Sequence, residues 1–231
     1  MPARHTSGLP DRAGYLQRWS ALHGGVDPAA SPLVRGWLGL TYVLARPLAA
    51  RQVPPDLITL VGLLLSVLVV PLAAMGGRWP LAAVLVVVVS GLVDNLDGAV
   101  AVMTDRATRW GSVLDSLADR CSDAAYVVAL LALGGFGDPG AVMVCAAAAA
   151  GLVLLQEYAR ARATAAGMSD VGVVTVSERP TRVIGAAMFC LGAGLYPAHA
   201  EYWGAAGLVF GVLVGLVGLT QLLVVVRRRL A

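Results

Sequence analysis

The chain has 231 residues, of which 58% are hydrophobic and 13% charged, and a mean hydropathy of +0.77. An ordinary soluble domain carries about a quarter charged residues, so this composition excludes one and makes lipid part of the solvent. All 17 basic residues are arginine and the sequence pI is about 9.0, yet the arginines fall in short connections between apolar runs, which argues for membrane topology and against a nucleic-acid-binding face.

Residues 1 to 30 are polar and bear Pro and Gly, which predicts a loosely ordered N-terminus. They lack the apolar core of a signal peptide and are expected to stay cytoplasmic. From Ser31 to Ala50, apolar residues are mixed with Arg35, Trp37, Tyr42 and Arg46, too polar for insertion and suited to an interface. Residues 31–53 therefore read as an amphipathic helix lying on the membrane surface. Pro54 and Pro55 break the chain, and Asp56 is positioned to cap the first span.

The remainder, 54–231, reads as one domain of six spans. Between Asp56 and Arg78 lie 21 uncharged residues, enough for a crossing that needs roughly 20 in helix. Span two runs from about Trp79 to Met103 and ends on Asp94 and Asp97. Span three, from about Arg109 to Gly135, begins with Asp115, Asp119, Arg120 and Asp123. Spans four (Pro139 to Gln156, or on to Arg162), five (Val183 to Ala200) and six (Tyr202 to Val226) are plainly hydrophobic. With six spans, 15 of the 17 arginines fall on one side, leaving Arg78 opposite and Arg120 inside span three. Both termini and the connections flanking the aspartates are then cytoplasmic, in a multi-pass plasma-membrane protein. The fold class is all-α and integral to the membrane. Cys121, Cys145 and Cys190 are isolated in apolar sequence, with no ligand or disulfide spacing.

Asp94 and Asp97 are three residues apart, about 60° around a helix, while Asp115 and Asp119 are four apart, about 40°, so each pair projects from one face. An intramembrane carboxylate costs roughly 2.5 to 3.5 kcal/mol, and four together repel one another. A cation must neutralise them. Oxygen-only ligands favour hard ions such as Mg²⁺ or Mn²⁺, and four carboxylates are enough for two. Gly98 follows Asp97 directly and Gly111 lies one turn before Asp115, where small residues let a diphosphate approach the backbone. Asp123 continues the face one turn deeper, where it can pair with Arg120.

Asp94, Asp97, Gly98, Ala101, Gly111, Asp115 and Asp119 resemble the signature of the CDP-alcohol phosphatidyltransferase family, D-x2-D-G-x2-A-R-x8-G-x3-D-x3-D. Seven of its eight specified positions agree, the exception being Val102 where the family has arginine. Pro55-Asp56 followed by Thr59 and Gly62 resembles the family's first-span entry. Glu157-Tyr158 with Arg160 and Arg162, and Glu178-Arg179-Pro180 with Arg182, resemble the bacterial phosphatidylinositol phosphate and phosphatidylglycerophosphate synthases. The resemblance implies a homodimer of six-span subunits in which Asp94, Asp97, Asp115 and Asp119 hold two divalent cations, Mg²⁺ or Mn²⁺, against the diphosphate of CDP-diacylglycerol. It implies Asp119 as the base that activates a small alcohol, inositol phosphate or glycerol 3-phosphate, with CMP released. Donor contacts would come from Asp56, Thr59, Gly98, Ala101 and Gly111. In the absence of the motif arginine, Arg106 or Arg109 is expected to reach the nucleotide phosphates, and Arg160, Arg162 and Arg182 the acceptor phosphate.

Val102 leaves open a member with an altered donor or reduced catalysis. From other classes, an intramembrane prenyltransferase would need more spans and widely separated acidic motifs. A divalent-cation transporter would need a polar path beyond the ends of spans two and three, and spans four to six offer no continuing polar route.

Overall fold

In the computed structural model of the chain, the described residues are 8–22, 27–28, 31–134, 139–168 and 174–230. They form helices, with no strand among them: α1 (Arg12–Leu22), α2 (Pro32–Ala50), α3 (Pro55–Ala74), α4 (Trp79–Thr104), α5 (Arg109–Ala132), α6 (Pro139–Ala165), α7 (Arg179–Leu195) and, after a 3-10 turn at Pro197–His199, α8 (Ala200–Leu230).

The boundaries follow local chemistry. Ser31 caps α2 with Pro32 in its first turn, and Pro55 opens α3 with Asp56 in the first turn, where a carboxylate complements the helix dipole. Helices α2, α4 and α6 stop the same way. Gln52, Asp105 and Gly167 take positive φ, and the N–H after each reaches back to Leu48, Ala101 and Ala163 respectively, closing the terminal carbonyls. Only four residues, Asp105 included, separate α4 from α5, and the acidic end of α4 folds back on the acidic start of α5.

Among the described residues, four stretches are long and apolar enough to cross a membrane: Pro55–Ala74, Trp79–Thr104, Pro139–Ala165 and Pro197–Leu230. This is a multi-pass membrane protein, but the expected count of six is reached only if α5 and α7 are added. Charge keeps α5 out, because Asp115, Asp119, Arg120 and Asp123 lie along it. Length keeps α7 out at 17 residues. The fifth span was expected to start at Val183 and reach Ala200, whereas α7 starts four residues earlier and ends at Leu195. The expected end of span three, Gly135, lies outside the described residues. Within the segment expected to be loosely ordered, Arg12–Leu22 are helical and Tyr15 is buried. Tyr15 packs 5.6 Å from the Tyr42 ring of α2, and the Tyr42 hydroxyl donates to the Pro10 carbonyl.

The chain divides into two compact units. The first, Met1–Gly62 with Ser90–Ala118, has a core of Tyr15, Leu38, Ala45, Ile58, Leu96 and Val100. The second, Leu63–Val89 with Asp119–Ala231, is built on Val69, Val87, Tyr126, Leu130, Cys190 and Leu208. Its helices approach closely at small residues. A Cβ on Gly204 would lie 2.5 Å from the Leu130 carbonyl, and one on Gly194 would lie 2.7 Å from the Leu81 side chain. The outward faces stay apolar, with Leu64, Leu85 and Val144 each more than two-thirds exposed, as a lipid-facing surface requires.

Candidate active site

Within the first unit, a cavity of about 500 Å³ opens beside the ends of α4 and α5. Asp94, Asp97, Gly98 and Ala101 line it from α4, Gly111 and Asp115 from α5, and Asp56 and Thr59 from α3. Asp97 is almost wholly buried, at 6% exposure. Its Oδ2 accepts from the Thr59 hydroxyl at 2.5 Å and its Oδ1 from the Gly98 N–H. A Cβ on Gly98 would meet nothing within 4 Å, so the backbone there faces open space. At Gly111, the hypothetical Cβ lies 3.2 Å from the Thr108 hydroxyl and 3.7 Å from an Asp56 oxygen.

The hairpin of α4 and α5 brings carboxylates together. Asp94 and Asp115 offer oxygens within 4.8 Å of each other, and Asp119, one turn along α5, lies within the same distance of Asp115. All three are part-buried. Oxygen ligands at this spacing fit a hard divalent cation. Asp97 is outside that set, its carboxylate turned to Thr59 and Gly98.

The second unit carries a chain of ion pairs. Arg120 lies 3.6 Å from Asp119, 3.4 Å from Asp123 and 3.2 Å from Glu157, and Arg179 pairs with Asp119. Arg182 donates Nε to Asp123 at 2.9 Å and Nη1 to the Ser177 carbonyl. Arg160 sits 3.8 Å from Glu157 and pairs with Glu178. Burial alone would raise the Glu178 carboxyl, but the Thr175 N–H and hydroxyl, both at 2.8 Å, and the Arg160 guanidinium outweigh it and hold the group below the usual carboxylate range. Of the three arginines expected to form an acceptor pocket, Arg160 and Arg182 are thus engaged with carboxylates, and Arg162 is exposed in the last turn of α6.

Arg106 lines the cavity, but its guanidinium donates to the Gln52 side chain at 2.7 Å. Arg109 does not line it. Several contributors went unseen in sequence. Tyr15, Trp19 and Leu22 of α1 and Trp37 of α2 form part of the cavity wall, and Trp37 donates to the Asn95 side chain at 3.3 Å. The available signal was the spacing of Tyr15, Trp19 and Leu22, four and three residues apart. Burial pushes the Tyr15 hydroxyl up to about 12, so it stays neutral.

The model of the CDP-alcohol phosphatidyltransferase family matches residues 52–225. Over 149 residues the chain is 39% identical to the phosphatidylinositol phosphate synthase of Mycobacterium marinum, a match covering 63% of this chain and 61% of that relative's length. It is 38% identical to the archaetidylinositol phosphate synthase of Methanothermobacter thermautotrophicus, covering 60% and 67%. The fold is similar to crystal structures of Mycobacterium tuberculosis phosphatidylinositol phosphate synthase. One, with CDP-DAG bound, has a TM-score of 0.64 at 30% identity and covers 80% of this chain and 92% of that one. Another, in complex with manganese and citrate, has a TM-score of 0.66 at 27% identity, covering 80% and 88%.

Proposed function

Because the chain belongs to the CDP-alcohol phosphatidyltransferase family, we propose that it moves a phosphatidyl group from CDP-diacylglycerol to inositol phosphate and releases CMP. The observation that carries this reading is the cavity of the first unit, where carboxylates from α4 and α5 stand beside an open glycine backbone. The relatives' names support the acceptor, since a bacterial and an archaeal one share inositol phosphate and differ in the lipid.

In this reading Asp94, Asp97, Asp115 and Asp119 hold two divalent cations, Mg²⁺ or Mn²⁺, in line with the manganese complex of the similar structure. Such ions, when bound, neutralise the diphosphate and the charge that grows on the leaving group. Thr59 orients Asp97 through its hydroxyl, and Gly98, Ala101 and Gly111 leave room for the nucleotide and its phosphates. Asp119 takes the proton of the acceptor hydroxyl. The freed oxygen bonds to the lipid-bearing phosphorus, and the bond from that phosphorus to CMP breaks. Arg160, Arg162 and Arg182 receive the acceptor phosphate, which replaces carboxylates as partner to the first and last of them. The same reading counts α5 and α7 as spans three and five of a homodimeric plasma-membrane enzyme, with the arginine-rich connections cytoplasmic.

The test is CMP release by the purified protein in detergent, with CDP-diacylglycerol, Mg²⁺ or Mn²⁺, and inositol phosphate, glycerol phosphate, inositol or serine. Release should depend on inositol phosphate and fall by about 100-fold or more in Asp119→Asn. Folded protein that releases no CMP with any acceptor would overturn the reading.

A further inference from the structure

The cavity lining is lopsided in charge. Among the described residues that line it, four carboxylates, Asp56, Asp94, Asp97 and Asp115, face one guanidinium, that of Arg106, which the Gln52 side chain and backbone carbonyl hold at 2.7 and 3.4 Å. A nucleoside diphosphate adds negative charge, and guanidinium forks are the side chains best matched to phosphate oxygens. The motif position that would supply one is Val102, an aliphatic residue that lines the cavity and is 9% exposed.

A guanidinium nevertheless comes to this position from another helix. Arg18 of α1 donates Nη1 to the Val102 backbone carbonyl at 3.5 Å, a long bond that ties it loosely. Tyr15, Trp19 and Leu22 of the same helix line the cavity, and Arg18 follows Tyr15 by three residues, on the flank of that face. The side chain is exposed and is not itself among the residues lining the cavity, so the guanidinium meets an anion there by swinging from the carbonyl, with five N–H donors to offer. Helix α1 lies before residues 52–225, the part that matches the family.

We propose that Arg18 supplies the phosphate-binding guanidinium that position 102 lacks, which makes α1 a working part of the donor site. This rests on the transferase reading above and deepens it: the donor keeps an ordinary diphosphate, held by an arginine from outside the family domain. A long side chain tethered by one weak bond moves from carbonyl to phosphate without displacing the helix.

The experiment measures CDP binding in Mg²⁺ by calorimetry, cytidine binding by competition, and donor and acceptor KM, on the full chain and on Arg18→Ala and Arg18→Ala/Val102→Arg. Arg18→Ala should weaken CDP about tenfold and raise the donor KM similarly, with cytidine affinity, acceptor KM and thermal midpoint unchanged. Val102→Arg in that background should recover most of the loss. An Arg18→Ala protein that binds CDP like the wild type, or loses cytidine and CDP equally, overturns the assignment, as does a folded double variant no better than the single one. Wild-type protein that binds no CDP removes the donor site and Arg18's role together. Arg18-dependent CDP binding without CMP release removes the transferase reading alone.

Discussion

Asp97 and Asp119 are both motif aspartates, yet their surroundings differ. Asp97 is buried under Thr59 and the Gly98 N–H, so its oxygens are held in place, while Asp119 lies among the guanidiniums of Arg120 and Arg179. Both were visible in sequence because helical spacing aligns i and i+3 or i+4. Their partners were not, since nothing local joins Thr59 to Asp97 across 38 positions. Glu178 gives the clearest pH consequence. Its folded carboxyl titrates below the usual range, so it contributes stability above its unfolded value, near pH 4.5, and loses that contribution as pH falls through the lower folded value. In detergent, thermal stability of the wild type should decline as pH falls below about 4.5, and Glu178→Gln should flatten that decline. Identical slopes for the two proteins would deny Glu178 this role.

Among the helices, glycine has opposite uses at two positions. On α8, a Cβ at Gly204 would press against backbone oxygens of Leu130 and Gly134, at 2.5 and 2.8 Å, which cannot rotate away. Gly204→Ala should therefore lower the thermal midpoint, at a cost of about 1 to 3 kcal/mol. On α4, Gly98→Ala meets nothing within 4 Å and gains helix propensity. It should keep or raise the midpoint while raising the donor KM, because in the proposed reading the new methyl group would stand where the diphosphate approaches the backbone. A paired measurement of melting and donor kinetics checks both, and a Gly98→Ala protein with unchanged donor KM would remove that role for Gly98. Helices α3, α4, α6 and α8 were legible from apolar length alone. Helix α1 was not, because its few apolar residues sit in polar sequence and gain their partner only when Tyr15 packs on Tyr42.

At the scale of the whole molecule, the arginines make topology testable. Helix α4 has 26 residues, a length of about 39 Å, sufficient to separate the Arg78 and Arg106 connections by a bilayer. With the native cysteines replaced, Gly77→Cys should react with a membrane-impermeant maleimide from outside intact cells, and Asp105→Cys only in inverted vesicles. Labelling of both from the same side would refute the six-span orientation. Composition, helical periodicity and the spacing of the aspartates determined by themselves that this chain is helical, has spans apolar enough for a membrane, and carries each pair of aspartates on one helical face, at the end of α4 and the start of α5. Those are properties of contiguous residues, and a helix turns local order directly into geometry. Only the tertiary structure decided that Arg182 meets Asp123 across 59 positions, that Arg160 is engaged by Glu178, and that α1 brings Arg18 to Val102 across 84. Such contacts depend on which helices pack and on where burial leaves a charge its best partner, and neither is written in any local pattern.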